Sequence, residues 1–160
     1  MAPHALARIF FLMAITVFAS ALSVLPTPHT QKSAEPWTKT ESVEAHDLAR
    51  ELNDAKTAPE VVFVGFQRLY TAGHIKGAQF YGSGGNPEGL KEMKTWAATL
   101  PKTTSLVIYC GCCPMERCPN VRPAFTVLHA LGFTKLRVLV LPTGFEADWA
   151  EKGYPYDKGK

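Results

Sequence analysis

The chain has 160 residues, of which 46% are hydrophobic and 19% charged, a composition typical of a globular protein with its own core. This length suits one domain with an appendage and argues against two full catalytic domains. The net charge of +3 comes from 17 basic and 14 acidic residues scattered along the chain. Because that charge is too small to neutralise a run of phosphates, we expect no nucleic-acid partner.

The first 21 residues have the pattern of a secretory signal peptide. Arg8 is the only formal side-chain charge before Lys32, and an apolar run extends from Ile9 to Leu25. Ala19-Ser20-Ala21 supplies small residues at the spacing of a cleavage site. We therefore expect export to the periplasm or the extracellular space. The alternative is an uncleaved membrane anchor, because the apolar run is at the lower limit of what spans a bilayer.

Residues 22–37 are rich in proline and polar side chains without periodicity, which predicts a linker, and residues 38–160 are predicted to form the folded domain. Apolar residues at helical spacing predict an amphipathic helix over 42–54, and the apolar run 61–64 predicts a buried strand. The further predicted elements are, in chain order, a helix from Asn86 to Pro101, a strand over 106–109, a helix from about Asn120 to Gly132, a strand over 136–141 and a short helix from Thr143 through Trp149, with Thr143 and Glu146 at capping-box spacing.

This alternation of strands and helices predicts an α/β domain, with a parallel sheet flanked by helices on both faces. In such sheets, ligands gather at the carboxyl ends of the strands, where the amino ends of helices also point. The cysteines of this chain lie at such a position.

All four cysteines lie in one nine-residue loop, Cys110-Gly111-Cys112-Cys113-Pro114-Met115-Glu116-Arg117-Cys118, between the strand 106–109 and the next helix. A thiol at the end of a strand that faces a helix amino terminus meets unpaired N–H groups, which favour the thiolate. We therefore expect Cys110 to be an ionised nucleophile. Arg117 and Arg122 add positive charge that could stabilise a thiolate or an anionic substrate.

Three segments together resemble the rhodanese-like domains, which carry sulfane sulfur as a persulfide on a cysteine that follows a central strand. They are Tyr70 to Ala78 (YTAGHIKGA), Leu106 to Cys110 with the helix that ends in Leu131-Gly132-Phe133, and Gly144 to Tyr156 (GFEADWAEKGYPY). The chain departs from the family at two places. It reads Phe63-Val64-Gly65 where the family usually has Asp-x-Arg, and its cysteine loop is about five residues longer than the usual six.

The resemblance implies a sulfurtransferase that needs no organic cofactor and takes a small sulfur-donor anion and a thiol acceptor, and we expect a monomer. The implied catalytic residues are Cys110, Cys112 and Arg117. Position directly after the strand favours Cys110 as the sulfur carrier, whereas the five-place interval to Arg117 favours Cys112. The implied substrate-binding residues are the rest of the loop and the following arginine, namely Gly111, Cys113, Cys118 and Arg122.

Three alternatives remain for the cysteine loop: thiol redox chemistry, soft-metal binding on a degenerate rhodanese fold, and a structural disulfide, Cys110–Cys118 or Cys113–Cys118, that pins the loop. We assign no metal ligands, because the spacing C-x-C-C-x4-C lacks the two separated pairs of usual zinc sites. A phosphatase of the same fold family would need an arginine six places after its cysteine, and no cysteine of the loop has one. His74 is interpreted as a hydrogen-bonding turn residue, and Gly82 to Gly85 as a flexible turn.

Overall fold

The computed structural model describes residues 34–159, which form an α/β domain around a five-stranded parallel sheet. The strands are β1 (Ser42–Glu44), β2 (Glu60–Phe63), β3 (His74–Ile75), β4 (Gln79–Phe80), β5 (Ser105–Tyr109), β6 (Lys135–Val140) and β7 (Tyr156–Asp157). The helices are α1 (Ala45–Glu51), α2 (Gln67–Ala72), α3 (Pro87–Ala97) and α4 (Val121–Ala130), with a short π-helical segment at Glu146–Ala150. The predicted fold class is confirmed.

The strand order in the main sheet is β1-β6-β5-β2-β4, so that β5 lies in the centre. Successive residues of β5 point to opposite faces, as the pleat requires. Leu106 and Ile108 pack in the core that α3 and α4 cover, and Val107 and Tyr109 pack in the core on the other face. This alternation continues to Cys110, whose side chain shares the face of Ile108 and therefore points toward α4.

The start of α3 follows the sequence prediction closely. Asn86 caps the helix, its side-chain oxygen accepting a hydrogen bond from Gly89 N at 2.7 Å, and Pro87 takes the first helical position. The predicted helix over 42–54 is shorter than expected. Its first three residues form β1, the edge strand beside β6, and the helix runs only from Ala45 to Glu51.

Two further expectations differ from the structure. Thr143 and Glu146 form no capping box. Instead, Asp148 Oδ2 accepts hydrogen bonds from Thr143 N and Gly144 N. The predicted flexible turn is a packed segment, because Gly82, Ser83 and Gly84 are all buried.

The amino-terminal end of the described chain packs against α4. Trp37 stacks edge-on with Phe125 at 5.6 Å between ring centroids, and the Glu35 carboxylate accepts a hydrogen bond from Arg122 at 2.6 Å. Glu35 and Trp37 belong to the segment 22–37, which was predicted as a linker. The predicted signal peptide and most of the linker lie outside the described residues. Within residues 34–159, no helix combines the length and the apolar character needed to cross a membrane.

Candidate active site

The cysteine loop connects the carboxyl end of the central strand β5 to the amino end of α4. It includes one turn of 3-10 helix at Met115–Arg117 and returns the chain to Asn120, directly before α4. Cys110 and Cys118 are buried, whereas Cys112 and Cys113 are half-buried, and all four thiols are free. The loop therefore places four free thiols at the edge of the sheet where the parallel strands have their carboxyl ends.

Three of these sulfur atoms form a cluster, which we call the thiol trio. The Sγ atoms of Cys110, Cys112 and Cys118 all lie within 4.8 Å of one another. The fourth thiol belongs to Cys113, whose Sγ lies 3.3 Å from that of Cys112. The sequence predicted that the loop gathers these thiols, but not which of them converge.

Asn120 holds the thiol trio from the side of α4. Its side chain is fully buried, and its Nδ2 donates hydrogen bonds to Cys110 Sγ at 3.2 Å and to Cys112 Sγ at 3.6 Å. Ser83 Oγ donates to Asn120 Oδ1 at 3.1 Å, which fixes the amide with its nitrogen toward the sulfur atoms. Asn120 is thus a candidate functional residue that the sequence suggested only as a helix start.

The environment of the two buried thiols favours the ionised form at Cys118 more than at Cys110. A hydrogen bond with the Cys110 thiol, together with the N–H groups of Asn120 and Val121, lowers the pKa of Cys118 to about 5. These groups favour the thiolate form of Cys118. These pKa directions run against the expectation of an ionised Cys110, which stays a prediction.

The environment of Cys110 shifts the pKa of its thiol in the opposite direction. The hydrogen bond with Cys118, followed by burial, raises the pKa of the Cys110 thiol well above its usual range. One main-chain N–H, that of Cys112, favours the ionised form of Cys110. Burial and the neighbouring Cys112 thiol raise the pKa of Cys113 to about 12. The thiols of Cys110 and Cys118 influence each other's ionisation, so that the pair titrates as a unit.

Gly65 leaves space for the Cys110 side chain at the end of β5. A Cβ on Gly65 would lie 2.5 Å from Phe63 Cζ and 2.9 Å from Cys110 Sγ, closer than a real Cβ approaches such atoms. Gly65 is the last residue of the stretch that replaces the family's Asp-x-Arg. Gly65 therefore leaves space for the sulfur and supplies no charged side chain.

The two arginines of the predicted site lie apart from the thiol trio. Arg122 donates to the carbonyl oxygens of Met115 and Cys118, at 3.2 and 3.1 Å, and forms an ion pair with Glu35. Arg122 therefore fixes the main chain of the loop. Arg117 is exposed on the 3-10 turn.

A cavity of about 260 Å³ opens beside the loop and gives access to two of the thiols. Its lining combines apolar side chains, the loop residues and two charged groups, namely Phe63, Leu69, Ala72, Gly73, Cys110, Gly111, Cys112, Phe145, Glu146, Tyr156 and Lys158. Lys158 is the only cation of this lining. It reaches the cavity because β7 pairs antiparallel with β3, an arrangement of distant segments that no local sequence pattern predicts.

His74 has a structural environment, in agreement with its interpretation from sequence. The side chain is buried, its Nδ1 lies 2.8 Å from the Tyr70 carbonyl oxygen, and its ring stacks on that of Tyr70 at 3.9 Å. It does not belong to the cavity lining.

Comparison with known proteins identifies solved structures with a similar fold. No family model matches the sequence, and no curated protein matches it significantly. The rhodanese-like domain of the Anabaena protein Alr3790 superimposes with a TM-score of 0.54 at 23% identity, over 74% of this chain and 79% of that one. Ygr203w, a yeast protein tyrosine phosphatase of the rhodanese family, superimposes with a TM-score of 0.51 at 19% identity, over 78% of this chain and 96% of that one.

A third similar structure is that of an EanB variant that holds a cysteine persulfide in a tetrahedral intermediate state with ergothioneine. Its TM-score is 0.54 at 20% identity, over 73% of this chain and 28% of that one. These likenesses, with the five-stranded parallel sheet and the cysteine loop at the end of its central strand, confirm the resemblance found in the sequence at the level of the fold. The chain has the fold of the rhodanese-like domains.

Proposed function

We propose that this protein is a sulfurtransferase that carries sulfane sulfur as a persulfide on Cys110. The observation that supports this proposal best is the environment of Cys110 Sγ, which accepts a hydrogen bond from the buried Asn120 side chain and lies in the cavity lining. A donor at Sγ stabilises the negative charge that this sulfur carries when it attacks the sulfur donor and again when the acceptor removes the outer sulfur.

The proposed reaction has two displacement steps. Cys110 Sγ attacks the outer sulfur of a donor such as thiosulfate, its proton passes to the Cys118 thiolate, and sulfite leaves with the electron pair of the broken S–S bond. A thiophilic acceptor then attacks the outer sulfur of the persulfide. The bond between the two sulfur atoms breaks, the acceptor keeps the outer sulfur, and the sulfur pair returns to its single negative charge.

The charge around the cavity favours a small anionic donor. Lys158 provides a cation at the cavity, and the aromatic and aliphatic lining limits hydration of a bound anion. Glu146 is the single acidic group of the lining, which disfavours donors of high negative charge. The natural donor is therefore proposed to be small and to carry its charge at the end that faces Lys158.

Sulfur transfer is favoured over phosphatase activity by the position of the arginines. A phosphatase loop holds an arginine guanidinium against the phosphate that its cysteine attacks. Here Arg122 binds Glu35 and two carbonyl oxygens, and Arg117 is absent from the cavity lining. Similarity to the yeast phosphatase therefore does not extend to the groups that phosphate chemistry needs.

The intact mass of the full chain after reduction and incubation with thiosulfate tests the proposal. We expect a gain of one sulfur atom, which a thiophile such as cyanide removes. Cys110→Ser should abolish the gain, and Cys113→Ser serves as the matched control that retains it. A gain lost only in Cys112→Ser would move the carrier to Cys112, and no gain in the reduced wild-type protein would refute the function.

We also propose that the protein acts outside the cytoplasm, on the basis of the amino-terminal sequence alone. The mature chain isolated from its native host should lack about the first 21 residues, by the small-residue rule for cleavage. Recovery of the full-length chain from the membrane fraction would instead support the anchor.

A further inference from the structure

We propose that the thiol trio of Cys110, Cys112 and Cys118 is a three-coordinate binding site for a soft monovalent metal ion, copper(I). This inference does not depend on sulfur transfer, although a bound ion would occupy the same thiols and block that reaction. It rests on the arrangement of the sulfur atoms, on the donors around them, and on the surroundings of the cluster.

The arrangement of the sulfur atoms fits a trigonal site. Three thiolates at about 2.3 Å from a central ion lie about 4 Å apart when the ion is in their plane. The three Sγ atoms already lie within 4.8 Å of one another, so that small side-chain rotations close the site. A structural zinc ion requires four ligands, and the cluster found among the described residues has three.

The donors around the trio suit metal-bound thiolates. Asn120 Nδ2 donates to both Cys110 Sγ and Cys112 Sγ, at 3.2 and 3.6 Å, and Ser83 fixes the orientation of this buried amide. Neutral thiols are weak acceptors and need no such set. Three thiolates around copper(I) carry a net charge of −2, and N–H groups directed at the sulfur atoms stabilise that charge as outer-shell partners do.

The surroundings favour a soft ion over a hard one. Cys110 and Cys118 belong to the hydrophobic core that α4 covers, and Cys112, Cys113 and Met115 pack against it. Thiolate ligands in an apolar setting select copper(I) and zinc over hard, oxygen-seeking cations. Because three ligands satisfy copper(I) and leave zinc incomplete, copper(I) is the ion that the cluster fits.

The test uses the reduced full chain, titrated with copper(I) without oxygen and against a chromophoric chelator. We expect one ion per chain, and X-ray absorption should show three sulfur neighbours at about 2.3 Å. Asn120→Ala should weaken binding about 10- to 100-fold, since it removes an outer-shell donor. Cys112→Ser, in the most exposed member of the trio, should weaken binding further still.

Cys113→Ser tests whether the neighbouring fourth thiol takes part, and a three-coordinate site should bind copper(I) within a few-fold of the wild-type affinity in this variant. A loss as large as that of Cys112→Ser, four sulfur neighbours, zinc that copper(I) fails to displace, or no binding at all would each overturn the inference. The absorption measurement on the wild-type protein needs no variant to fold. Sulfur uptake without copper binding would refute the metal site alone, and copper binding without sulfur uptake would refute the proposed enzyme alone.

Discussion

Asn120 is the residue whose replacement tests the electrostatics of the site most directly. Its Nδ2 donates to two sulfur atoms, and Ser83 fixes the orientation of its amide. A hydrogen bond to a charged acceptor contributes about 1.5–3 kcal/mol. At about 1.4 kcal/mol for each factor of ten, Asn120→Ala should slow persulfide formation about 10- to 100-fold.

Asn120→Asp is a sharper variant, because it preserves the size of the side chain and the oxygen that accepts from Ser83. It replaces the donor nitrogen with an anionic oxygen beside the thiolate, so that repulsion is added to the lost hydrogen bond. We expect a slower reaction than in Asn120→Ala and a higher pKa of the sulfur pair. Ser83→Ala, which removes only the group that orients the amide, should cost less than tenfold, about the effect of one neutral hydrogen bond.

Two measurements check these expectations. The rate of sulfur uptake reports the reaction, and ultraviolet thiolate absorbance as a function of pH reports the sulfur pair whether or not the enzyme turns over. If folded Asn120→Ala and Asn120→Asp both kept the wild-type rate and the wild-type titration, the amide would not stabilise sulfur anions and the reasoning about the site would be refuted.

Three other changes follow from the same geometry. Gly65→Ala should lower the free energy of unfolding by about 1–3 kcal/mol in denaturant melts, because the new Cβ would crowd Cys110 Sγ at 2.9 Å; unchanged stability would contradict the close packing. The Cys118 thiolate, with a pKa near 5 in the fold and an ordinary one in the unfolded chain, should add stability that is complete above about pH 9 and lost as pH falls to about 5. Unfolding measured at pH 5 and pH 8 should therefore show an increase that Cys118→Ser lacks, whereas the raised pKa of Cys110 affects stability only at higher pH. Arg122→Lys should lower the melting temperature more than Glu35→Gln does, because the glutamine loses only the ion pair, whereas the lysine keeps its charge but loses the planar fork that binds both loop carbonyls.

Much of the fold was predictable because its signals are local. The buried strands β2, β5 and β6 are continuous apolar runs, and α3 begins with a capping residue and a proline. β1 was not predictable in this way. Three residues are too few to show a strand period, and its assignment as an edge strand depends on pairing with β6, which lies far along the chain.

The candidate site was predictable as a set of residues but not as an arrangement. The spacing of the cysteines placed them in one loop at the end of a strand, which the structure bears out. Which thiol meets the helix N–H groups depends on the path of the loop, and the tight turn there is permitted by Gly111 at φ +66°. The roles of Asn120 and Lys158 depend on Ser83 and on the pairing of β3 with β7, contacts between segments remote in sequence.

The missing Asp-x-Arg and the longer cysteine loop together change how the site stabilises negative charge. Where Asp-x-Arg would stand, Gly65 leaves space for the Phe63 ring and the Cys110 sulfur and itself supplies no cation. The charge on sulfur is balanced instead by N–H groups from Asn120, the loop and the start of α4. Neutral donors stabilise a sulfur anion, a persulfide and a metal-bound thiolate alike, whereas an arginine fork favours oxyanions. A long loop that surrounds several sulfur atoms with N–H donors is therefore suited to sulfur and soft-metal chemistry. The proposed role of Lys158, the single cation of the cavity lining, is to attract the anionic sulfur donor.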